Sequence, residues 1–150
     1  MQIVILVGIQ GSGKSSFYKE LFFSSHLRIS LDMLKTRPRE WKIFQSCIAA
    51  EAQCVIDNTN ILRKDRERYI TPGRHAGFSV SGYFFNIPLP VAMEQNARRT
   101  GKECIPVVAI RSAFRNLEIP QYDEGFDELF SVEQDPATRW KITAVPRDHS

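Results

Sequence analysis

A glycine-rich segment near the start of the chain carries the residue types needed to hold a row of phosphate groups. Residues 8–15 read GIQGSGKS and match the pattern GxxxxGK[ST] in full. Glycines let the backbone curl so that successive N–H groups point at phosphate oxygens. Lys14 is then placed to reach the β- and γ-phosphates of ATP, and the Ser15 hydroxyl to bind Mg²⁺. The nucleotide-binding residues predicted from this segment are Gly8, Gln10, Gly11, Ser12, Gly13, Lys14, Ser15 and Ser16.

A carboxylate follows the second predicted strand. Asp32 ends the sequence Ile29-Ser30-Leu31-Asp32, where it could take the proton of a hydroxyl group that attacks the γ-phosphate. An aspartate that caps a short helical turn would stand in the same place. We predict the catalytic role, since a small kinase adds a base, a polar strand end and a cationic lid to its phosphate loop.

Polar residues also follow the third predicted strand, in the sequence Asp57-Asn58-Thr59-Asn60. Asp57 stands where a carboxylate would hold Mg²⁺ or one of its waters. The three residues after it could orient the acceptor or brace the phosphate loop. A strand-ending turn rich in Asn and Asp would look the same. We predict metal binding for Asp57 and acceptor binding for Asn58 and Thr59.

Two arginines lie in a short cationic break between predicted helices. Arg98 and Arg99 precede Thr100-Gly101-Lys102. An arginine held over the γ-phosphate would neutralise the charge that builds up in the transition state. The alternative is an exposed helix C-terminus, where cations are favourable anyway. Both arginines are candidate catalytic residues.

The hydrophobic pattern predicts a scaffold that brings these strand ends together. Strands are predicted at Ile3–Val7, Leu27–Ser30, Cys54–Ile56, Val80–Phe85, Glu128–Val132 and Ile142–Val145. Helices are predicted at Lys14–Phe23, Glu40–Gln53, Lys64–Ala76, Leu89–Arg99 and Val107–Leu117. The alternation predicts an α/β fold of the P-loop NTPase type: a three-layer sandwich with a mostly parallel sheet, flanking helices and a short helical lid. Ligands of such sheets bind at the carboxyl ends of the strands, where Gly8 and Asp57 fall.

Length and composition fit a single P-loop domain over residues 1–150, with the assignment weaker from about residue 134. The chain is 43% hydrophobic and 25% charged, and its net charge of +3 allows a polyanionic partner without requiring one. Three cysteines without a C-x-x-C pair indicate neither a disulfide framework nor a zinc site. The apolar runs are too short for a membrane span, and no signal peptide is recognisable. We expect a cytoplasmic protein.

The motifs together resemble the kinase domain of polynucleotide 5′-hydroxyl kinases, the end-repair enzymes of phage, bacteria and animals. The resemblance runs from Ile3 to about Val132, with the family's order and spacing. Its carriers are Gly8–Ser16, Ser30–Asp32, Ile56–Asn60, Arg68–Phe78, Asn96–Pro106 and Glu124–Phe130.

The resemblance implies an activity and a set of roles. The activity is transfer of the γ-phosphate of ATP, with Mg²⁺, to the 5′-hydroxyl end of DNA or RNA. Asp32 corresponds to the family's general base, Lys14 and Ser15 to its phosphate and Mg²⁺ residues. Arg99, with Arg98 as a second candidate, corresponds to the lid arginine. Residues 105–108, including Val107, correspond to the adenine contact, and Asn58 and Thr59 to the polar pair on the acceptor side.

Two features depart from the family pattern. Many members carry an arginine three residues after the base, where this chain has Lys35, with Arg37 close by. Lysine supplies a charge but not a bidentate fork. We assign both residues to acceptor binding. The D-x-D-G-T signature of the 3′-phosphatase that several relatives carry does not occur in this sequence, so we expect kinase activity alone.

Other conspicuous residues are assigned to packing or to solvent. Trp41 and Phe44 could stack on an acceptor base, but we expect them to pack in the core or along a groove. The basic residues after position 62 alternate with Asp65 and Glu67, and we expect them to form a solvated helix face. These residues are Arg63, Lys64, Arg66 and Arg68.

Three functional hypotheses are open at this point. The first is a 5′-hydroxyl polynucleotide kinase, favoured by the full set of motifs. The second is a P-loop kinase for a nucleoside, a sugar or another small hydroxyl compound, which the weak net charge and Lys35 keep open. The third is an ATP-binding switch without catalysis, against which Asp32 and the arginine pair argue.

Overall fold

The computed structural model describes residues 1–101 and 104–147 of the chain and contains one six-stranded sheet. Its strands are β1 (Gln2–Val7), β2 (Leu27–Ile29), β3 (Cys54–Ile56), β4 (Ser79–Phe85), β5 (Glu128–Asp135) and β6 (Arg139–Ala144). Their order is β2-β3-β1-β4-β5-β6. All neighbours are parallel except β5 and β6, which form an antiparallel hairpin. The predicted α/β class with a mostly parallel sheet is confirmed.

Helices connect the parallel strands, as right-handed βαβ units require. They are α1 (Lys14–Leu21), α2 (Leu31–Leu34), α3 (Arg37–Ala49), α4 (Arg63–His75), α5 (Leu89–Ala97) and α6 (Val107–Asn116), followed by a 3₁₀ turn at Tyr122–Glu124. None of the helices in the described ranges is long and apolar enough to cross a membrane. Lys102 of the predicted cationic break and residues 148–150 lie outside the described residues.

Side chains of β1 alternate between two hydrophobic clusters, one on each face of the sheet. The first cluster includes Ile3, Ile5 and Val7 of β1, Phe44 of α3 and Tyr69 of α4. The second includes Val4 and Leu6 of β1, Phe17 of α1, Ala92 of α5 and Ile110 of α6. The sheet is therefore covered on both faces, which is why β1 reads as a continuous apolar run.

Most predicted elements are present, and the exceptions have local causes. Helices α1, α4, α5 and α6 lie within two residues of their predicted bounds. The third helix begins at Arg37 rather than Glu40, because the Thr36 hydroxyl accepts a hydrogen bond from the Arg39 N–H at 3.3 Å and so caps it. It ends at Ala49 rather than Gln53. Helix α2, only four residues long, was not predicted, since one turn carries no periodic signal.

The last two strands are longer than predicted and pair with each other. They form a hairpin whose turn is held by Asp135, because its Oδ1 accepts a hydrogen bond from the Ala137 N–H at 2.7 Å. This Asx turn joins the segment after residue 134 to the sheet.

The prediction of a solvated basic face on α4 is wrong for Arg66. This side chain is fully buried. Its guanidinium donates to both carboxylate oxygens of Glu124, at 2.7 and 2.8 Å, and to the Asn60 carbonyl at 2.9 Å. Lys64 and Arg68 are exposed. The ion pair joins residues 58 positions apart in sequence, so no local pattern could indicate it.

Candidate nucleotide and acceptor site

The glycine-rich loop connects the end of β1 to the start of α1, at the carboxyl edge of the sheet. Gly11 and Gly13 have φ angles of 80° and 95°, which favour glycine. A Cβ at Gly11 would lie 2.3 Å from the Ala92 carbonyl oxygen. The Gly8 N–H donates to the Thr59 carbonyl at 3.0 Å. The loop is therefore fixed in a curled form that side chains at these positions would not allow.

Two polar atoms of the loop lack hydrogen-bond partners in the described part of the chain. The Ser12 Oγ and the Gln10 Oε1 are buried and make no hydrogen bond to any described residue. Buried polar groups are nearly always paired, so unpaired ones facing the same loop indicate a polar ligand. Gly13 caps α1 without a side-chain hydrogen bond, which leaves the helix N-terminus suited to an anion. The half-buried Ser16 follows on this helix.

Lys14 lies at the centre of the site. Its Nζ donates to the carbonyl oxygens of Gly8 and Ile9, both at 2.9 Å. Burial lowers the pKa of Lys14 from 10.5 to about 8, an effect opposed by the charges of Asp57 and Asp32 and reinforced by the charge of Arg99. The structure thus brings three predicted site residues from separate segments within electrostatic range of one ammonium group.

Asp32 belongs to the first turn of α2 and is exposed. The N-cap of this helix is Ser30, not Asp32, so the capping interpretation of Asp32 is wrong. The Leu31 N–H donates to the Asn58 Oδ1 at 2.9 Å, and this bond fixes the start of α2 against the end of β3. The negative charge of Asp32 is close enough to Lys14 to act on its pKa.

Ser15 and Asp57 lie in direct contact at the predicted Mg²⁺ position. The Ser15 Oγ donates to the Asp57 Oδ2 at 3.0 Å. Arg28 of β2 contacts both: its Nε donates to the Asp57 Oδ2 at 2.8 Å and its Nη2 to the Ser15 Oγ at 3.0 Å. Adjacent oxygens of a hydroxyl and a carboxylate suit Mg²⁺, which keeps waters and phosphate oxygens as its other ligands. The two oxygens fit the ion by their chemistry, and in this structure the Arg28 guanidinium contacts both.

Asn58, Thr59 and Asn60 brace the site through their own hydrogen bonds. Asn58 uses both ends of its amide, since the Oδ1 accepts from Leu31 and the Nδ2 donates to the Glu40 Oε2 at 3.1 Å. Thr59 contributes the carbonyl that receives the Gly8 N–H. The buried Asn60 donates to the Leu6 carbonyl at 2.8 Å and to the Ile56 carbonyl at 3.3 Å. These bonds connect the ends of β1 and β3.

A fully buried carboxylate, Glu40, was missed by the sequence analysis. It accepts hydrogen bonds from the Tyr69 hydroxyl at 2.7 and 2.8 Å, from the Asn58 Nδ2 and from the Arg37 Nη1 at 2.9 Å. Burial and the contact with Glu40 raise the pKa of Tyr69 to about 12. Arg37, predicted to bind the acceptor, also donates to the Tyr69 hydroxyl at 3.0 Å. Lys35 is exposed, with a φ of 76°.

The two lid arginines differ in their surroundings. Arg98 pairs with Glu94 at 2.7 Å, and its side chain is 73% exposed. Arg99 is half-buried, and its charge lowers the pKa of Lys14. Asn96 holds the segment that follows, because its amide exchanges hydrogen bonds with the Ile105 backbone at 2.7 and 2.8 Å. Of the two arginines, Arg99 is therefore the one whose charge acts on Lys14, and Arg98 pairs with Glu94.

Trp140 of β6 lies beside the glycine-rich loop, while Val107 of the predicted adenine contact lies at the start of a helix. Val107 begins α6 and is 46% exposed. Trp140 of β6 packs edge-on against Phe17, with ring centroids 5.4 Å apart, and a Cβ at Gly13 would lie 2.7 Å from its ring. The sequence analysis did not single out Trp140, because nothing local connects residue 140 with residue 13.

Comparison with known families gives a match over most of the chain. A sequence model of a family described as an AAA domain matches residues 3–118. This range contains every predicted site residue, and it ends before β5 and β6.

Two proteins with established names are similar in sequence to most of this chain. The bifunctional polynucleotide phosphatase/kinase of Schizosaccharomyces pombe is 26% identical over 135 residues, which cover 87% of this chain and 33% of that protein. Transcription factor bHLH140 of Arabidopsis thaliana is 26% identical over 140 residues, which cover 85% of this chain and 15% of that protein. The chain spans a third or less of the length of each.

Among solved structures, Kti12 of Chaetomium thermophilum in complex with ADP-AlF3 superposes with a TM-score of 0.67. It is 17% identical, and the superposition covers 90% of this chain and 92% of that one. At this identity the likeness shows the fold alone.

Proposed function

Because the chain belongs to the AAA-domain family and has a P-loop kinase-like fold, we propose that it is an ATP-dependent kinase for 5′-hydroxyl ends of DNA or RNA. The observation that carries the proposal is the convergence on Lys14. The charges of Asp57, Arg99 and Asp32 all act on its ammonium group. Nucleotide binding alone needs neither a base nor a lid arginine, whereas phosphoryl transfer uses both.

On the donor side, the backbone N–H groups of the loop bind the phosphates of ATP. Lys14 exchanges its two backbone carbonyl partners for phosphate oxygens, and these anions stabilise its protonated form. Ser15 and Asp57 would hold Mg²⁺, which neutralises charge on the β- and γ-phosphates when it is bound.

On the acceptor side, Asp32 accepts the proton of the attacking hydroxyl group. The acceptor oxygen forms a bond to the γ-phosphorus while the bond from that phosphorus to the β–γ bridging oxygen breaks, and ADP leaves. Arg99 neutralises charge on the transferred group. The proton remains on Asp32 until solvent removes it.

The choice of a polynucleotide acceptor is supported by the resemblance of the motifs and by the name of the fission yeast relative. Because the chain covers only 33% of that relative, the activity and partners of the longer protein do not transfer as a whole. The likeness between the two is limited to the 135 matched residues.

The test is transfer of radiolabelled γ-phosphate from ATP to DNA and RNA oligonucleotides. We expect label on 5′-hydroxyl ends and none on oligonucleotides that already carry a 5′-phosphate. Asp32→Asn is expected to lower kcat by about a hundredfold or more, while ADP binding stays close to that of the unchanged protein. Absence of transfer to every DNA and RNA end contradicts the proposal, and full activity of Asp32→Asn contradicts the mechanism.

A second candidate function is a kinase for a small hydroxyl compound. It is favoured by Asn58, whose amide already bonds to Leu31 and Glu40 inside the protein, and by the lysine at position 35. Competition between an excess of oligonucleotide and nucleoside or sugar acceptors separates the two. ATP binding without turnover for any acceptor would instead support a nucleotide-dependent switch.

A further inference from the structure

A groove lies beside the acceptor side of the site, between the start of α3 and the middle of α4. It has a volume of about 330 Å³ and is lined by Arg37, Pro38, Glu40, Trp41 and Arg68. A volume of this size is in the range of sites that bind small organic groups. Its lining combines one aromatic ring with two arginines, which is an unusual surface to leave facing water.

The aromatic part of the groove is Trp41. Its indole is half-buried and packs on the fully buried Phe44, with ring centroids 5.4 Å apart and planes 38° apart. Phe44 in turn meets Tyr69 edge-on at 5.1 Å. The core therefore holds the indole in place, and a fixed indole that lines a groove is a platform on which a nucleobase can stack.

The charged part of the groove is formed by Arg37 and Arg68. The Arg37 side chain is 48% exposed although its Nη1 donates to Glu40 and Tyr69. A guanidinium group held in this way is oriented before any ligand arrives, so less side-chain entropy is lost when it binds an anion. Arg68 is exposed on the opposite wall. The pair suits a phosphodiester, which arginine contacts through parallel hydrogen bonds.

Hydrogen bonds link the wall of the groove to the segment that carries the proposed base. The Glu40 Oε2 accepts hydrogen bonds from both Arg37 and Asn58, and Asn58 accepts one from the Leu31 N–H, next to Asp32. A short chain of hydrogen bonds therefore runs from the groove to the residue beside the proposed base.

We propose that the groove binds the second nucleotide of a single-stranded acceptor, with its base stacked on Trp41 and the phosphate on its 3′ side contacted by Arg37 and Arg68. This inference rests on the proposed polynucleotide kinase function. It adds a length requirement: an acceptor of one nucleotide leaves the groove empty, and a longer one fills it.

The kinetic test compares two acceptors with each variant, thymidine 3′-monophosphate and a thymidine trinucleotide with a free 5′-hydroxyl. Thymine is chosen because it does not compete with ATP for the donor site. The ratio of kcat/KM for the trinucleotide to that for the mononucleotide is expected to fall by about tenfold in Trp41→Ala, the loss of one stacked base. Trp41→Phe should restore most of the ratio, since an aromatic face remains.

Matched controls come from the same two helices. Ile43 is exposed on α3, and Lys64 is exposed one turn before Arg68 on α4. Ile43→Ala and Lys64→Gln are expected to leave the ratio unchanged, whereas Arg68→Gln is expected to lower it. Because the ratio is taken within one protein sample, a variant that folds poorly does not change it.

A binding measurement keeps the inference testable without turnover. The chain has two tryptophans, so in Trp140→Phe the emission comes from Trp41 alone. The trinucleotide is expected to quench this emission saturably in the absence of ATP. If oligonucleotides are phosphorylated but the kcat/KM ratio is unchanged in Trp41→Ala, the groove proposal is overturned and the kinase proposal stands. If no oligonucleotide is phosphorylated, the kinase proposal fails. Saturable quenching by the trinucleotide would then still support the groove as a nucleotide-binding site. If there is no quenching either, the groove proposal is overturned as well.

Discussion

Arg28 and Asp57 form an ion pair, with the Arg28 Nε donating to the Asp57 Oδ2 at 2.8 Å. The Asp57 side chain is 2% exposed and that of Arg28 24% exposed. The same guanidinium also donates to the Ser15 Oγ, so one cation bridges the two oxygens proposed to hold another. If Ser15 and Asp57 hold Mg²⁺ as proposed, the ion and Arg28 compete for Asp57.

Replacing Arg28 should ease metal binding. In Arg28→Gln we expect the Mg²⁺ concentration for half-maximal ADP·Mg²⁺ binding to fall by roughly threefold to tenfold, the loss of one partly exposed charge-assisted contact. Calorimetric titration of Mg²⁺ at fixed ADP measures it, with the exposed Arg115→Gln as the control. A higher Mg²⁺ requirement in Arg28→Gln would mean that the guanidinium supports the bound ion instead of competing with it.

The lowered pKa of Lys14 predicts a pH dependence of nucleotide affinity. In the free protein this pKa is about 8 because of burial, so the ammonium charge is present below that pH and is lost above it. Phosphates stabilise the charged form, and ADP affinity should therefore fall as the pH rises from about 7 to about 9.

Lys14→Arg provides the control for this effect, because arginine keeps its charge throughout the range. Its affinity for ADP, whatever its absolute value, should vary much less with pH. Isothermal titration at several pH values measures both proteins. An equally flat profile for the unchanged chain would show that Lys14 is not neutralised in this window.

The two lid arginines should differ in their effect on catalysis. Arg99→Ala is expected to lower kcat by about a hundredfold, as for loss of one group that stabilises transition-state charge. Arg98→Ala is expected to cost at most about threefold, because its partner is the exposed Glu94. Steady-state kinetics with saturating ATP measure both. Equal losses would indicate that Arg98 leaves Glu94 during turnover.

Arg66 should be a major contributor to stability. Arg66→Met leaves Glu124 without its bidentate partner in a buried position, and we expect a loss of roughly 3–5 kcal/mol in the free energy of unfolding. Lys64→Met, at an exposed position of the same helix, should change it by less than about 0.5 kcal/mol. Urea titration followed by circular dichroism measures both variants. A small loss in Arg66→Met would show that Glu124 finds solvent or another cation.

The sequence predicted the donor side more completely than the acceptor side, and the reason is physical. A phosphate loop is formed by consecutive residues, so the sequence from Gly8 to Ser15 is enough to predict the loop. The fold class followed from the alternation of strands and helices. By contrast, Glu40, Tyr69 and Asn58 act through contacts between residues 18 to 29 positions apart, and their pairing exists only once the sheet has formed.

Arg28 and Arg66 illustrate the same limit for charges. Each read as an ordinary member of a strand or a basic helix, because a side chain's partner decides whether it is buried, and both partners are distant in sequence. The choice between Arg98 and Arg99 likewise depended on a neighbour, Glu94, and on the direction in which the helix ends. Local motifs therefore identify the residues that could do chemistry. The charges around those residues depend on how distant segments of the chain pack together.

Through Trp140, the C-terminal hairpin contacts the glycine-rich loop and α1, which lie near the start of the chain. Its ring lies against Gly13, and its indole N–H donates to Glu20 of α1 at 2.7 Å. A chain shortened to the family-matched residues 3–118 would retain every side chain proposed here for donor, metal or acceptor, yet its phosphate loop would lose the wall behind it. Domain boundaries drawn by motif alone would therefore remove a supporting part of the donor site.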